Sequence, residues 1–303
     1  MVFDQMLVML IMLLVGVVCA KTGVIDADGN KKITSFTLAV PQSCMILASA
    51  INIEFEINAA KIAVVFFSGF VMYGVLVALG ALVWLGLGRK NPLRELFAFM
   101  TVFGNVGFMG LPVVQALFGG EAVVYAALFN VPFNLLAYSV GAAMLRGELR
   151  GGGGFDWKVL ITPPMVSTYV AIVLLFVHIH IPTPIESAVD YMGNMIVPLS
   201  MIIIGASLGD MPLKKALGDW RCYVFSAFRL LVVPAAVFFG MGLFVRDELV
   251  LGTMTVQAAM PVAAISAMLA LQYGRNAEFA SKTVFISTLL STLTIPLICW
   301  GLL

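Results

Sequence analysis

The sequence predicts an all-α membrane protein in which ten transmembrane helices form two inverted repeats of five helices. Three observations lead to this fold class. Hydrophobic residues make up 61% of the chain, and charged residues only 11%. The hydrophobic residues are gathered into ten runs of about 20 residues, the length that crosses a bilayer. Two of these runs are interrupted at matching places in the two halves of the chain.

The ten apolar runs are separated by short polar loops. A soluble domain of 303 residues could not bury so many apolar side chains, so a lipid bilayer must cover the remainder. The predicted spans are 2–20, 33–53, 62–87, 95–118 and 122–145 in the first half, and 158–180, 187–209, 217–245, 249–271 and 279–302 in the second. A glycine-rich linker at 147–154 divides the chain into predicted repeats 1–150 and 151–303.

Positive charge is concentrated in alternate loops. Of the 17 Lys and Arg residues, 14 lie in or beside the loops that follow odd-numbered spans, and 2 follow even-numbered spans. Because basic loops remain in the cytoplasm, we expect a multi-pass protein of the cell (inner) membrane with both termini outside the cytoplasm. The net charge of +1 and the lack of a basic stripe exclude nucleic-acid binding.

Short sequence matches support a repeat with inverted topology. Residues 40–43 (VPQS) match 197–200 (VPLS) at an offset of 157, and residues 67–70 (FSGF) match 225–228 (FSAF) at an offset of 158. The two offsets are nearly equal. An odd number of spans in each half requires the second half to enter the membrane upside down relative to the first.

Spans four and nine are each interrupted by residues that break helices. The centre of span four reads GNVGFMGLP at 104–112, and span nine contains QAAMP at 257–261. Interrupted spans at corresponding places in two halves are the best sequence indication of a transporter's binding site. We expect the second half-helix to begin at Pro112 in span four and at Pro261 in span nine, since the first turn of a helix tolerates proline.

Two such half-helix N-termini would face the middle of the membrane from opposite sides. Each concentrates free N–H groups and a partial positive charge, so together they would suit a carboxylate or another anion. Gly110 and the other glycines of the interruption would let the backbone approach a ligand closely. The alternative is that the prolines only kink two ordinary helices.

Three further polar residues lie within apolar spans. Arg229 is the only clearly mid-membrane charge; it either attracts an anionic substrate or caps helix carbonyls and holds the breaks together. Asn130 and Asn134 share one face of span five at a spacing of four residues. They either hydrogen-bond between helices or face a water-filled path.

The sequence offers no basis for an enzyme, a metal site or a cofactor. The four cysteines are isolated, without metal-ligand spacing. No H-E-x-x-H motif is present, and no serine–histidine pair is placed for catalysis. His178 and His180 fall at the predicted outer end of span six, where an interfacial position accounts for them.

The interrupted spans resemble those of the auxin efflux carrier family, which includes plant PIN carriers and bacterial permeases for malate and malonate. The pattern Asn105-x-x-x-Met109-Gly110-x-Pro112 is similar to the plant N-T-L-V-M-G-I-P. The QAAMP segment at 257–261 resembles the plant Q-A-A-L-P, and Arg229-x-x-x-x-Pro234-Ala235 resembles the plant R-F-V-V-G-P-A. The matches extend from span two to span ten.

This resemblance implies a fold similar to that of sodium/proton antiporters and bile-acid symporters. Spans 1, 2, 6 and 7 would form a scaffold, and spans 3–5 and 8–10 a mobile transport domain with crossed broken helices. The family expectation is a homodimer through the scaffold. The transport domain would move by an elevator-type mechanism of alternating access.

The residues and the resemblance together predict a secondary transporter that moves a small organic anion, a carboxylate, across the cytoplasmic membrane. The alternative is a sodium- or proton-coupled transporter of another small solute on the same fold. The candidate substrate-binding residues are Asn105, Gly110, Pro112, Gln257, Pro261, Asn130, Asn134 and Arg229.

Overall fold

The computed structural model describes residues 2–51, 59–88, 90–146, 161–177, 181–209 and 217–302. Over these residues the chain is helical, and its only β-type pairing is one antiparallel bridge between Gly104 and Val262. The predicted all-α class is therefore confirmed. Within the same residues, five helical stretches are long and apolar enough to cross a membrane: Ala60–Gly86, Glu121–Arg146, Thr183–Ser207, Trp220–Gly242 and Ala277–Leu302.

The helices of the first half follow the predicted apolar runs. They are α1 (Val2–Lys21), α2 (Ala27–Ala39), α3 (Pro41–Ile51), α4 (Ala59–Gly86), α5 (Arg94–Val102), α6 (Leu111–Phe118), α7 (Gly120–Leu136) and α8 (Ala142–Arg146). One turn of π-helix, Val106–Gly110, leads into α6, and another, Ala137–Gly141, joins α7 to α8. Such π-turns are frequent near functional sites.

The helices of the second half follow the remaining runs. They are α9 (Pro163–Val177), α10 (Thr183–Asn194), α11 (Ile196–Gly209), α12 (Trp220–Ala227), α13 (Val233–Gly242), α14 (Glu248–Ala258), α15 (Ile265–Gln272) and α16 (Ala277–Leu302). A π-turn at Phe228–Val232 joins α12 to α13.

Span two begins earlier than its apolar run predicts. The helix starts at Ala27 rather than at residue 33, because the Asp26 carboxylate accepts a hydrogen bond of 2.7 Å from the Gly29 N–H. This is an N-cap, which satisfies one of the free N–H groups at a helix start.

The predicted linker at 147–154 lies outside the described residues, as do His178 and His180. The boundary between the two repeats therefore remains a prediction.

Glycines bring two long helices into close contact. α1 packs along α11, and a Cβ atom on Gly16 would overlap the carbonyl oxygen of Ile202. On the other helix, a Cβ on Gly205 would overlap the carbonyl oxygen of Leu13. Small residues at such interfaces let the backbones of membrane helices approach each other.

The helices pack in two groups. In one group, α1 and α2 pack on α11, while α3 packs on α9 and α10. In the other, α4 packs on α5 and α7, α13 packs on α14, and α16 packs on α12 and α15. The breaks between α5 and α6 and between α14 and α15 lie in the buried part of the second group, where residues 96–106 and 252–263 are buried throughout.

Candidate functional site

The first break lies between α5 and the π-turn that precedes α6. α5 ends at Val102, and the chain becomes helical again at Val106. The carbonyl oxygen of Asn105 starts this second helix by accepting hydrogen bonds from the N–H groups of Met109 and Gly110, at 3.2 and 3.0 Å. A π-turn therefore precedes the helix that the sequence predicted to resume at Pro112, and the proline itself lies in the first turn of α6, as expected.

Pro112 occupies the first turn of α6, directly after the π-turn. A proline inside an α-helix has no N–H to donate and collides with the preceding turn. In the first turn of a helix the missing N–H costs nothing, because the N–H groups there have no partner one turn earlier in the same helix. The proline thus shapes the start of the half-helix without being its first residue.

The second break is longer than the first. α14 ends at Ala258, and α15 begins at Ile265. Pro261 lies within the non-helical segment between them, so the prediction that the second half-helix begins at Pro261 is wrong. The backbone of this segment finds partners elsewhere: the Val262 N–H donates to Ser287 Oγ at 3.1 Å, and this contact keeps it from joining α15.

The two breaks hydrogen-bond directly to each other. The Asn105 N–H donates to the Pro261 carbonyl at 2.7 Å, and the Ala263 N–H donates to the Phe103 carbonyl at 3.2 Å. The bridge between Gly104 and Val262 lies between these bonds. Pairing of this kind satisfies backbone groups that would otherwise be costly in apolar surroundings, which is the condition for irregular backbone at membrane depth.

Arg229 is buried beside the breaks, with only 1% of its surface exposed. Its Nη1 donates a hydrogen bond to the carbonyl oxygen of Ala258, the last residue of α14. A Cβ on Gly104 would overlap its Nη2, so the glycine makes room for the guanidinium. Within the described residues, no carboxylate forms an ion pair with Arg229. Its charge faces the helix C-terminus, where free carbonyls carry a partial negative charge.

A cavity of about 40 Å³ adjoins the two breaks. The first break contributes Gly104, Asn105 and Gly107 to its wall, and the second contributes Ala264 and Ile265. Gly107 and Ile265 belong to the first turns of the two second half-helices. The N–H groups of Val106 and Ser266 donate to the Gly104 and Ala263 carbonyls, both at 2.9 Å. The two helix starts nevertheless carry a partial positive charge.

Four side-chain amides converge on this cavity. Asn105, Asn130, Asn134 and Gln42 all line it, and the three asparagines are at most 7% exposed. Both side-chain atoms of Asn105 lack a hydrogen-bond partner, as do the side-chain oxygens of the other three. A buried polar group without a partner costs about 1–3 kcal/mol. Unpaired amides around one cavity therefore indicate a place where a polar ligand or water binds.

The other predicted residues lie beside the cavity or beneath it. Gly110 packs under the second break, where a Cβ would lie 3.4 Å from Met260 Cγ. Gln257 is fully buried on α14, and its Nε2 donates to the Ala126 carbonyl at 3.4 Å. Arg229 and Gln257 are not among the residues that line the cavity. Their side chains reach backbone carbonyls, which is a role in supporting the breaks.

Gln42 is the cavity residue that the sequence analysis did not select. It lies in the first turn of α3, next to Pro41, and its side-chain oxygen is buried without a partner. A signal was present, because a polar residue follows a proline in the middle of an apolar run. Only the packing of α3 against α7 brings it to the same cavity as the two asparagines.

Long apolar helices around a buried polar cavity, where two broken helices meet, define the class of protein: a multi-pass membrane transporter. The chain belongs to the membrane transport protein family, the family of the auxin efflux carriers, whose sequence profile matches residues 1–152 and 153–299. The family resemblance predicted from the interrupted spans is therefore confirmed, and so is membrane transport.

The chain is also similar to individual transporters. It is 27% identical over 318 residues to an uncharacterized transporter of Methanocaldococcus jannaschii, covering 99% of this chain and 98% of the relative. It is 26% identical over 270 residues to a Rhizobium meliloti protein named "Putative malonate transporter", covering 85% of this chain and 82% of the relative. An uncharacterized transporter of Methanothermobacter thermautotrophicus is 28% identical over 196 residues, covering 64% of this chain and 63% of the relative.

Proposed function

We propose that this protein is a secondary transporter for a small organic anion whose carboxylate binds in the cavity between the two breaks. The observation that carries the proposal is Asn105. Its amide is buried with both polar atoms unpaired, and it lines a cavity that also touches the first turns of two half-helices. A carboxylate would accept a hydrogen bond from the amide nitrogen, and the partial positive charge at the starts of the two half-helices would stabilise its negative charge.

The charge of the cavity suits a small anion. Each helix N-terminus carries about half an elementary charge, so the two together offset about one carboxylate. Among the described residues that line the cavity, none has a charged side chain. The anion would therefore be held without a fixed ion pair, which allows it to be released again on the other side of the membrane.

The size of the cavity limits the substrate in this conformation. About 40 Å³ accommodates on the order of three water molecules, which is enough for a carboxylate group but not for a large acid. The name of the Rhizobium meliloti relative refers to malonate, an acid with three carbons. We therefore take a short mono- or dicarboxylate as the substrate class.

The proposal includes the finer architecture expected from the sequence. The ten apolar runs form two inverted five-helix repeats, with broken spans four and nine crossing. Spans 1, 2, 6 and 7 form a scaffold through which two copies associate, and the other spans form a transport domain that moves as an elevator. The packing of the helices in two groups supports this division, and the basic loops favour termini outside the cytoplasm.

Sodium coupling is a second candidate feature on the same fold. The unpaired side-chain oxygens of Asn105, Asn130, Asn134 and Gln42 are hard ligands around one cavity. Amide oxygens of this kind coordinate small hard cations. A transporter that uses them would take up its substrate faster when sodium is present on the same side.

Uptake by purified protein in proteoliposomes tests the proposal. We expect uptake of radiolabelled malonate or a similar short acid, and a loss of at least about tenfold in Asn105→Ala, since a lost hydrogen bond to a charged group costs about 1.5–3 kcal/mol. Asn194→Ala, at an exposed asparagine that ends α10, is the control and should transport normally. Failure of every short acid to enter, or full activity of Asn105→Ala, would contradict the proposal. Repeating the assay without sodium decides the coupling.

A further inference from the structure

A larger groove adjoins the candidate site. Its volume is about 550 Å³, and it shares Leu38, Ala264 and Ile265 with the wall of the smaller cavity. The groove extends to Ala27 at the start of α2 and to Ala277 at the start of α16. Both positions adjoin loops, so the groove connects the neighbourhood of the breaks with one end of the helical bundle.

One face of span two runs along the whole route. Lys31, Ser35 and Leu38 line the groove, and Leu38 and Gln42 line the cavity. The intervals of three or four place Lys31, Ser35 and Leu38 on one side of α2, and Gln42 follows in the first turn of α3. From Lys31 to Gln42 the helical rise amounts to about 16 Å. The route therefore reaches from the end of the bundle to the unpaired amides.

The groove is lined mostly by apolar residues, but polar side chains from several helices also line it. They include Thr34 and Ser35 of α2, Gln272 of α15 and Ser281 of α16. Asn30 of α2 donates a hydrogen bond of 2.9 Å to Ser207 Oγ of α11, and its side-chain oxygen remains unpaired. Polar side chains at this depth of a membrane protein line water-filled cavities or pair with each other.

Lys31 is the only charged residue among the described residues that line either cavity. It is exposed, and it forms no ion pair within the described part of the chain. Its neighbour Lys32 differs, because its Nζ lies 3.0 Å from Asp28 Oδ2 in an exposed pair. A free cation at the mouth of a groove attracts anions and raises their local concentration.

We propose that this groove is the path along which the substrate anion passes between the cavity and the cytoplasmic face, and that Lys31 at its mouth is the first contact of the anion. The proposal rests on the proposed function for the charge of the substrate. Lys21, at the end of α1, and Arg275, just before α16, belong to the basic set of loops and their flanks, and this assigns the mouth of the groove to the cytoplasmic face.

Cysteine substitution on both walls tests the path. Ser35→Cys and Ser281→Cys in full-length protein are treated with a negatively charged, membrane-impermeant methanethiosulfonate, and modification is read by mass spectrometry. We expect both thiols to react, uptake of malonate to fall at least fivefold after reaction, and malonate to slow the reaction. Phe36→Cys, an exposed position of α2 outside the groove, and the wild type with its four cysteines are the controls and should keep their activity.

Separate substitutions of Lys31 and of its neighbour Lys32 test whether Lys31 is the first contact of the anion. Lys31→Gln should raise the KM for malonate about threefold without changing kcat, and the difference should shrink at high ionic strength because salt screens exposed charges. Lys31→Arg should restore the KM, and Lys32→Gln should change it less. An equal effect of both lysines, or none, would overturn the assignment of Lys31.

The outcomes separate the path from the substrate. Unreactive thiols, or reacted thiols with intact uptake, would overturn the path and leave carboxylate transport standing. If the thiols react but the protein takes up no short acid, the proposed function is overturned, and so is the proposal that an anion passes along the groove.

Discussion

Arg229 shows how one buried charge is accommodated at the breaks. It has no carboxylate partner within the described residues, and it donates to the carbonyl that ends α14. Gly104, from the other break, leaves the space that its Nη2 fills. An arginine inside a membrane protein is costly unless it is paired, and here the C-terminal end of a helix supplies the compensating partial charge. These contacts favour the role of holding the two breaks together.

This role predicts coupling between Arg229 and Gly104. Gly104→Ala places a methyl group where the guanidinium lies, so it should lower the unfolding free energy by about 1–3 kcal/mol, as overpacking does. In an Arg229→Met background the added methyl group should cost clearly less, and the difference measures the coupling. Thermal unfolding of the four proteins in detergent checks this. Strictly additive effects would show that the two residues act independently.

At the residue scale, polar residues inside apolar runs were the sequence signal that located the cavity. Asn105, Asn130 and Asn134 stand out in the sequence, and the structure places all three on one cavity. The two roles left open for Arg229 could not be separated from sequence, because its partner Ala258 has no distinguishing side chain. Gln42 was missed for a similar reason: tertiary packing of α3 determines what a residue in that helix reaches.

At the element scale, the sequence located both breaks but not their ends. Glycine, asparagine and proline predicted interruptions at 104–112 and 257–261. The positions where helix resumes depend on long-range partners that no local rule contains. The Asn105 N–H pairs with the Pro261 carbonyl, and the Val262 N–H pairs with Ser287 of α16. These bonds involve backbone groups of the second break, which stays outside the regular helix until Ile265, beyond the proline that was expected to start it.

The Ser287 contact makes a sharp comparison possible on α16. Ser287→Ala leaves the Val262 N–H buried without an acceptor, which should cost about 1–3 kcal/mol. Ser291 lies one turn further along, is equally buried, and donates only to the Thr288 carbonyl of its own helix. Ser291→Ala should therefore cost much less. Thermal unfolding in detergent measures both, and equal losses would show that the Val262 contact does not hold the break.

At the scale of the whole molecule, charged residues tie together the helices that surround the breaks. Lys61 of α4 lies 3.1 Å from the carboxylate of Glu121 at the start of α7 and 3.3 Å from that of Asp247, which caps α14. Each of these side chains is about two-fifths exposed. A pair with this exposure is worth little alone, but one lysine here joins three helices of the group that contains the breaks.

The network predicts a dependence of stability on pH through Asp247. Partial burial raises the pKa of its carboxyl, but hydrogen bonds from the Val250 N–H and from Lys61 outweigh it, so the pKa lies below the ordinary value for aspartate. A carboxyl with a lowered pKa stabilises the fold above its unfolded pKa, and this contribution is lost as the pH falls through the folded pKa. Below about pH 4, the thermal-unfolding midpoint of the wild type should therefore fall faster than that of Asp247→Asn, in which the cap remains but the charge is gone. Lys61→Met should reduce the same difference, and parallel curves for wild type and Asp247→Asn would rule out a stabilising charge at this position.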